Sequence, residues 1–330
     1  MTEPIRATFL ASYLAPLHPL LTDPAIVEVA INPDGRVWVE RQGAPVMDPE
    51  PHARFGTRLA QDLANAIASD VNVPLSAKRP LVAGKITVAG HPVRVQVIAP
   101  PAVEGGPSIT FRRYSQDKLA LPDIGLLHGA LVDLDENRRA RARQVRDLAR
   151  DGQLADALRL CIDDRLNIVV SGGTSTGKTT FARALLDLVS PDERLVTIED
   201  AFELFPAQLN TVALRSDRDP TSERSPARLL EASLRMRPDR IILGELRGTE
   251  ATTFLEALNT GHGGSVTTIH ADTALKAIDR IAMMVLGAGI NMTFDDVRTY
   301  CAQTVEVVVQ LGRVGGKRGV QEMWVTGVRQ

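Results

Sequence analysis

Cysteine is almost missing from this chain of 330 residues: Cys161 and Cys301 are the only two, far apart and without a CxxC pair. Two such residues exclude a disulfide framework and a four-thiolate zinc module, and they fit a reduced, cytosolic setting. A charge excess of either sign is missing too. With 38 basic against 40 acidic residues and a net charge of −2, the chain as a whole has no electrostatic footprint for binding nucleic acid. Long apolar runs are also lacking. The longest uncharged one, Ile281 to Ile290, is about half of the ~20 residues that a membrane span needs. Near the start, Glu3 and Arg6 bring charge, and Pro16 and Pro19 interrupt the apolar stretch, unlike the core of a secretory leader. A soluble protein is expected, with docking on a membrane complex left open.

An ordinary apolar content of 44% over 330 residues exceeds what one hydrophobic core usually organises, so two domains are expected. Residues Ala25 to Glu40 alternate around Pro33, Asp34 and Gly35 as a hairpin does. Phe55 to Ser69 carries apolar residues at helical spacing, and Gly84 to Ile98 and Ser108 to Arg112 return to strand alternation, broken at Gly90 and at Pro100 and Pro101. These segments describe an α+β domain over residues 1–115. A linker over 116–140 leads to an Arg-loaded helix carrying Arg138, Arg139, Arg141, Arg143, Arg146 and Arg150, read as a solvated or subunit-facing helix rather than a DNA surface. From 141 to 330, helices alternate with the runs LNIVV, LVTIED, RIILGE, SVTTIH and VEVVVQL, the pattern of an α/β domain with a largely parallel sheet.

The densest chemistry lies at Ser171 to Thr180, SGGTSTGKTT, where Gly172, Gly177, Lys178 and Thr179 fill every fixed place of GxxxxGK[ST]. A β-branched run precedes it and a helical spacing follows, the order that a phosphate loop requires. In such a loop consecutive backbone N–H groups curl around a phosphate and the positive end of the next helix points at the anion. The cradle comprises Gly172, Gly173, Thr174, Ser175, Thr176, Gly177, Lys178, Thr179 and Thr180. Lys178 is placed for the β- and γ-phosphates, and the Thr179 hydroxyl for Mg²⁺. The bland alternative is a Gly-rich turn before a surface helix.

Parallel sheets bind ligands at the carboxyl ends of their strands, so the polar residues that end those runs become candidates. Glu199, Glu245 and His270 end three of them. A carboxylate there can hold Mg²⁺ through water or orient the attacking water, which makes Glu245 the first candidate and Glu199 the second. Either is otherwise a helix cap. His270 can donate to a γ-phosphate oxygen, or be structural. His262 stays open between a turn residue and a functional one. Arg112, Arg113, Arg235, Arg237 and Arg240 are candidates to neutralise transition-state charge, against a default of surface residues.

Taken together, SGGTSTGKTT, TIED, LRMRPDRIILGELRG and TGHGGSVTTIHADT, in that order from Asn167 to Thr273, resemble the secretion traffic ATPases, in the branch serving type IV secretion and plasmid conjugation. INPDGRVWVE, GHPVRVQVIAPP and SITFRRYS resemble the first domain of the same branch. The resemblance implies a hexameric ring of RecA-like motor domains, each preceded by a smaller domain, hydrolysing Mg-ATP. It also implies a cytoplasmic protein peripheral on the inner membrane, working with inner-membrane components to power assembly or substrate transfer. It places Lys178 and Thr179 in the Walker A loop, Glu199 in the acidic box, Glu245 at the Walker B glutamate, which also meets Mg²⁺ through water, and His270 in the histidine box. Arg112 or Arg113 matches the first-domain arginine that reaches the nucleotide.

Two departures stand out. Ser175 and Thr176 replace the family's common Gly-Ser pair, and AFEL follows the acidic box. If the loop needs a positive φ at position 175, serine is disfavoured there.

A type II secretion or type IV pilus motor is the same enzyme in another machine. Many such motors carry a four-cysteine module that this chain cannot build, whereas tight-adherence pilus motors lack it and remain open. A GTPase should offer NKxD, and no Asn-Lys pair exists. A ring scaffold that binds ATP without hydrolysing it is the reading from another class.

Overall fold

The computed structural model describes residues 9–114 and 120–326. Residues 116–119 of the expected linker, and Glu3 and Arg6, lie outside the described residues.

Pro16 and Pro19 divide the first apolar stretch into two short helices, α1 (Phe9–Leu14) and α2 (His18–Thr22), with Pro19 in the first turn of α2, where its missing N–H costs no helical bond. Strands β1 (Ile26–Ile31) and β2 (Arg36–Arg41) follow. Their turn depends on Gly35, which has φ +81° and whose missing Cβ would stand 1.9 Å from the Phe55 carbonyl oxygen. Strand β3 (Asp48–Arg54) contains Pro49 and Pro51 and lies at the sheet edge, where a strand tolerates proline. Helix α3 (Thr57–Asp70) buries Ala60, Leu63, Ala64, Ile67 and Ala68 at helical spacing. Then come β4 (Leu81–Val88), β5 (His91–Ile98) and β6 (Ser108–Arg113). The six strands form an antiparallel sheet in the order β3-β2-β1-β6-β5-β4.

The two faces of this sheet differ because side chains alternate along each strand. Val29, Ile31, Val95, Val97, Ile109 and Phe111 share one hydrophobic core with α1, α2 and α3. The register aligns Glu40, Glu28, Arg112, Arg94 and Lys85 in one row across β2, β1, β6, β5 and β4 on the other face.

Beyond the linker, the Arg-loaded helix is α4 (Leu134–Arg150), capped by the Asp133 side chain accepting from Glu136 N at 2.9 Å. Helix α5 (Leu154–Asp163), strand β7 (Ile168–Gly172) and helix α6 (Lys178–Leu186) follow. Next are β8 (Leu195–Glu199), β9 (Thr211–Arg215), α7 (Pro226–Ser233), β10 (Arg240–Leu243) and α8 (Glu250–Asn259). The chain ends with β11 (Val266–Ile269), α9 (Ala274–Gly287), α10 (Phe294–Thr304), β12 (Val307–Val314) and β13 (Lys317–Val325).

By internal packing the chain forms two compact units, each made of two stretches: 1–114 with 190–244, and 115–189 with 245–330. In the first unit β8 pairs in parallel with β10 and β9. In the second, β7 pairs in parallel with β11 and β12, and β13 adds antiparallel to β12. The architecture is α/β with a largely parallel set of strands alongside an antiparallel sheet.

The two stretches of the first unit are joined by buried polar contacts. Arg194, fully buried, donates from Nη1 to Asn32 Oδ1 at 2.8 Å and to Asn210 Oδ1, and from Nε to Met236 O at 2.9 Å. Asp239 Oδ2 accepts from Arg194 N at 2.7 Å. Burial pushes the Arg194 guanidinium down to about 10, against the pull of Glu28 and Asp239. Arg237 bridges Glu40 at 2.9 Å and Asp239 at 2.6 Å.

Candidate functional site

The phosphate loop is shaped by backbone before side chains enter. Strand β7 is buried throughout, and its last residue, Gly172, has no room for a Cβ, which would stand 2.5 Å from Thr176 Oγ1 and 2.9 Å from Leu311 O. Ser175 has φ +59° and Gly177 φ +95°. The positive φ anticipated at position 175 is thus present, on a serine, at a cost of about 1–2 kcal/mol over the ordinary right-handed conformation. Gly177 is the N-cap of α6 and offers no side chain to it, so the first-turn N–H groups stay directed into the loop. Gly173, Thr174, Ser175 and Thr180 are exposed, and Thr176, Gly177, Lys178 and Thr179 half-buried. Thr176 Oγ1 donates to Gly173 O at 2.9 Å, bracing the turn.

Lys178 donates from Nζ to Gly172 O at 3.0 Å and Gly173 O at 3.1 Å, and lies 3.3 Å from His270 Nδ1. His270 Nε2 is 3.2 Å from Glu245 Oε1, and Glu245 Oε2 accepts from Arg247 Nη2 at 2.6 Å. Leu246 N donates to Thr268 O at 2.9 Å, which fixes Glu245 beside the end of β11, where His270 follows Ile269. Arg280, on α9, donates to His270 O at 2.7 Å and anchors that backbone.

The electrostatics follow from this packing. Partial burial and the neighbouring Lys178 ammonium lower the His270 pKa, with Glu245 opposing. The ring is therefore neutral at pH 7. Lys178 Nζ lies almost equally far from both ring nitrogens, 3.3 Å from Nδ1 and 3.4 Å from Nε2, and the carboxylate at Nε2 favours the tautomer with its proton there. Desolvation is also the largest influence on Lys178, lowering its pKa, while Glu245 raises it. Among the described residues no three His, Cys, Asp or Glu side chains gather as a metal cage.

The structure thus brings Lys178, Glu245 and His270 together beside the loop. Glu199, in the first unit, is buried, and its carboxylate accepts from Thr197 Oγ1 at 2.8 Å, Glu203 N at 2.8 Å and Leu204 N at 3.0 Å. The two arginines that end β6 fall on opposite faces. Arg113 donates to the carbonyls of Asp23 and Ile26, the latter at 3.0 Å. Arg112 is exposed and lines a pocket of about 610 Å³ with Glu28, Arg94, Tyr114 and Arg235. Arg237 is held by Glu40 and Asp239, and buried Arg240 by Glu193 at 2.8 Å. Arg235 donates to Glu231 O at 3.0 Å. In the Gly-rich loop, the His262 carbonyl accepts from Ser265 Oγ at 2.8 Å.

Sequence reading passed over Arg247 and Arg280. Their signal is weak, because each acts through one polar atom of a neighbour that only the fold brings close.

The family of type II/IV secretion system proteins matches residues 85–315. The chain is 34% identical over 306 residues to a conjugal transfer protein TrbB of Rhizobium radiobacter, covering 92% of this chain and 84% of that one. It is 33% identical over 332 residues to the type IV secretion system protein VirB11 of Brucella suis biovar 1, covering 97% and 91%. Among solved structures, the VirB11 ATPase of the Brucella suis type IV secretion system, in complex with sulphate, superposes with a TM-score of 0.86 at 32% identity, over 97% of this chain and 95% of that one.

Proposed function

This chain belongs to the type II/IV secretion system protein family, and from that premise we propose a Mg-dependent ATPase that powers a type IV secretion or conjugation apparatus, working as a homo-hexameric ring at the cytoplasmic side of the inner membrane. The observation that carries the reading is the contact chain from Lys178 through His270 to Glu245, beside a helix N-terminus that no side chain caps.

Phosphoryl transfer asks of a protein positioning and charge stabilisation rather than covalent chemistry. The loop backbone from Gly173 to Thr180 holds the β-phosphate. Lys178 exchanges its carbonyl partners for β- and γ-oxygens, which are stronger acceptors because they are charged. Glu245, held by Arg247 and His270, accepts a hydrogen bond from the attacking water and sets its line of approach to the γ-phosphorus. His270, neutral and with its backbone tied by Arg280, turns an N–H toward the γ-phosphate and so distinguishes ATP from ADP. Glu199 keeps the turn after β8 in shape through its two backbone acceptances. Of the two first-unit arginines, Arg112 is the one assigned to the phosphates of the assembled ring, since Arg113 is engaged by main-chain carbonyls.

The donor set fits Mg²⁺. The half-buried Thr179 hydroxyl would be the protein ligand, and the Glu245 carboxylate would hold the ion through water. A sparse protein shell suits an ion that is held largely by phosphates and water. When bound, Mg²⁺ supplies charge neutralisation on the β- and γ-oxygens.

Steady-state phosphate release from Glu245→Gln tests the assignment. ATP binding should persist while turnover falls about a hundredfold or more, as expected for loss of a well-placed base. Lys178→Ala should abolish turnover with native circular dichroism. A Glu245→Gln enzyme that hydrolyses ATP near the wild-type rate moves the water-orienting role to another carboxylate.

A further inference from the structure

The β12–β13 hairpin reaches past the strand that feeds the phosphate loop. Strand β7 ends at Gly172, paired with Leu311, whereas β12 runs on to Val314 and returns from Lys317. Gly315 and Gly316, with φ +55° and +84°, make the tight turn between them, the geometry of a two-residue hairpin loop. Gln310 Nε2 donates to Ala271 O at 3.1 Å and Glu322 Oε2 accepts from Ala274 N at 3.0 Å, so the hairpin is anchored to the chain just after His270.

Its tip is basic. Arg313 and Arg318 face one another across the ladder, and Lys317 begins the return strand. All three are exposed and none makes an ion pair among the described residues. The side chain of Arg318 runs past the phosphate loop: a methyl group on Gly177 would stand 3.9 Å from Arg318 Cδ. Gly177 is the residue from which the first-turn N–H groups of α6 begin. A guanidinium carried beyond that Cδ, on an exposed stem with no carboxylate partner, is within reach of an anion-binding helix end.

Which part of the anion it meets follows from strand order. Strand β7 lies between β11 on one side and β12 on the other. His270 and Glu245, the γ-phosphate side of the site, come from the β11 side. Arg318 comes from the β12 side, away from the γ-phosphate. We propose that Arg318 is a nucleotide-contacting residue that binds the α-phosphate of a nucleoside di- or triphosphate in the loop, a role that rests on the nucleotide reading of the loop given above.

Equilibrium titration of ATP and of ADP against full-length wild type, Arg318→Ala, Arg318→Lys and Lys178→Ala tests it. Because ATP and ADP share the α-phosphate, Arg318→Ala should weaken both by the same factor, about tenfold for loss of one exposed charge-assisted contact. The ratio of the two affinities should stay at its wild-type value, and Arg318→Lys should recover part of the loss. Unchanged affinities in Arg318→Ala would overturn the proposal, as would a loss confined to ATP, which would put the arginine at the γ-phosphate. Wild-type binding in Lys178→Ala would instead overturn the reading of the loop itself. The tip is exposed, and thermal melts of the variants should match wild type.

Discussion

His270 shows how one residue takes its chemistry from its neighbours. Its pKa is lowered first by burial and then by the Lys178 ammonium, against the pull of Glu245. A histidine of lowered folded-state pKa makes the unfolded chain the better proton acceptor. Its contribution to stability is therefore complete above the ordinary value near 6.5 and is lost as pH falls through that range. With a side chain 35% exposed, the effect on stability is small, but the titration itself can be observed. The NMR midpoint of His270 should lie below 6.5 in the wild type, move up in Lys178→Ala, where a repelling charge is gone, and move further down in Glu245→Gln. A midpoint that ignores both substitutions would mean that the three side chains do not meet in solution.

At the scale of the element, the phosphate loop holds a serine where the backbone favours glycine. Ser175 at φ +59° is tolerable because serine is small and unbranched at Cβ, whereas a β-branched residue there meets the full steric penalty. Thermal or urea unfolding should find Ser175→Val destabilised by about 1–2 kcal/mol and Ser175→Gly no less stable than wild type, since relief of strain offsets the added freedom of the unfolded chain. A Ser175→Val protein as stable as wild type would show that the left-handed turn is not formed. Around the loop, the strands that sequence patterning found are those with β-branched apolar runs. Strands β3, β9 and β13 escaped it. β3 carries two prolines, and β13, KRGVQEMWV, is exposed along much of its length, so neither alternates cleanly.

At the scale of the molecule, the chain crosses between its units more often than a linear division suggests. The stretch 190–244 packs with 1–114 through Arg194, Asn32, Asn210, Arg237 and Glu40. Arg194→Ala leaves Asn32, Asn210 and the Met236 carbonyl without their buried donor, and the expected loss is about 1–3 kcal/mol for each acceptor left unsatisfied, read from urea unfolding followed by circular dichroism. A motor fragment over residues 140–330 loses the contacts of Arg194 with Asn32 and of Arg237 with Glu40 and should melt below the full chain. Equal melting temperatures would show that 190–244 does not depend on the N-terminal sheet.

What sequence alone determined was local. GxxxxGK[ST] dictates a turn that only glycine-rich backbone follows, and alternation or helical spacing marks a buried face, because both depend on dihedral preferences and side-chain periods within a few residues. It also placed Glu245 and His270 at strand ends, since parallel strands share one carboxyl edge. Tertiary structure decided which of these side chains touch. Lys178 and His270 are 92 positions apart and lie within 3.3 Å, a proximity set by the pairing of β7 with β11. Which face of β6 receives α1 to α3 decided that Arg113 meets main-chain carbonyls while Arg112 lies on the opposite face, and the overhang of β12 beyond β7 decided the approach of Arg318 to Gly177. Strand register and the packing of distant faces are properties of the whole chain, and no window of residues contains them.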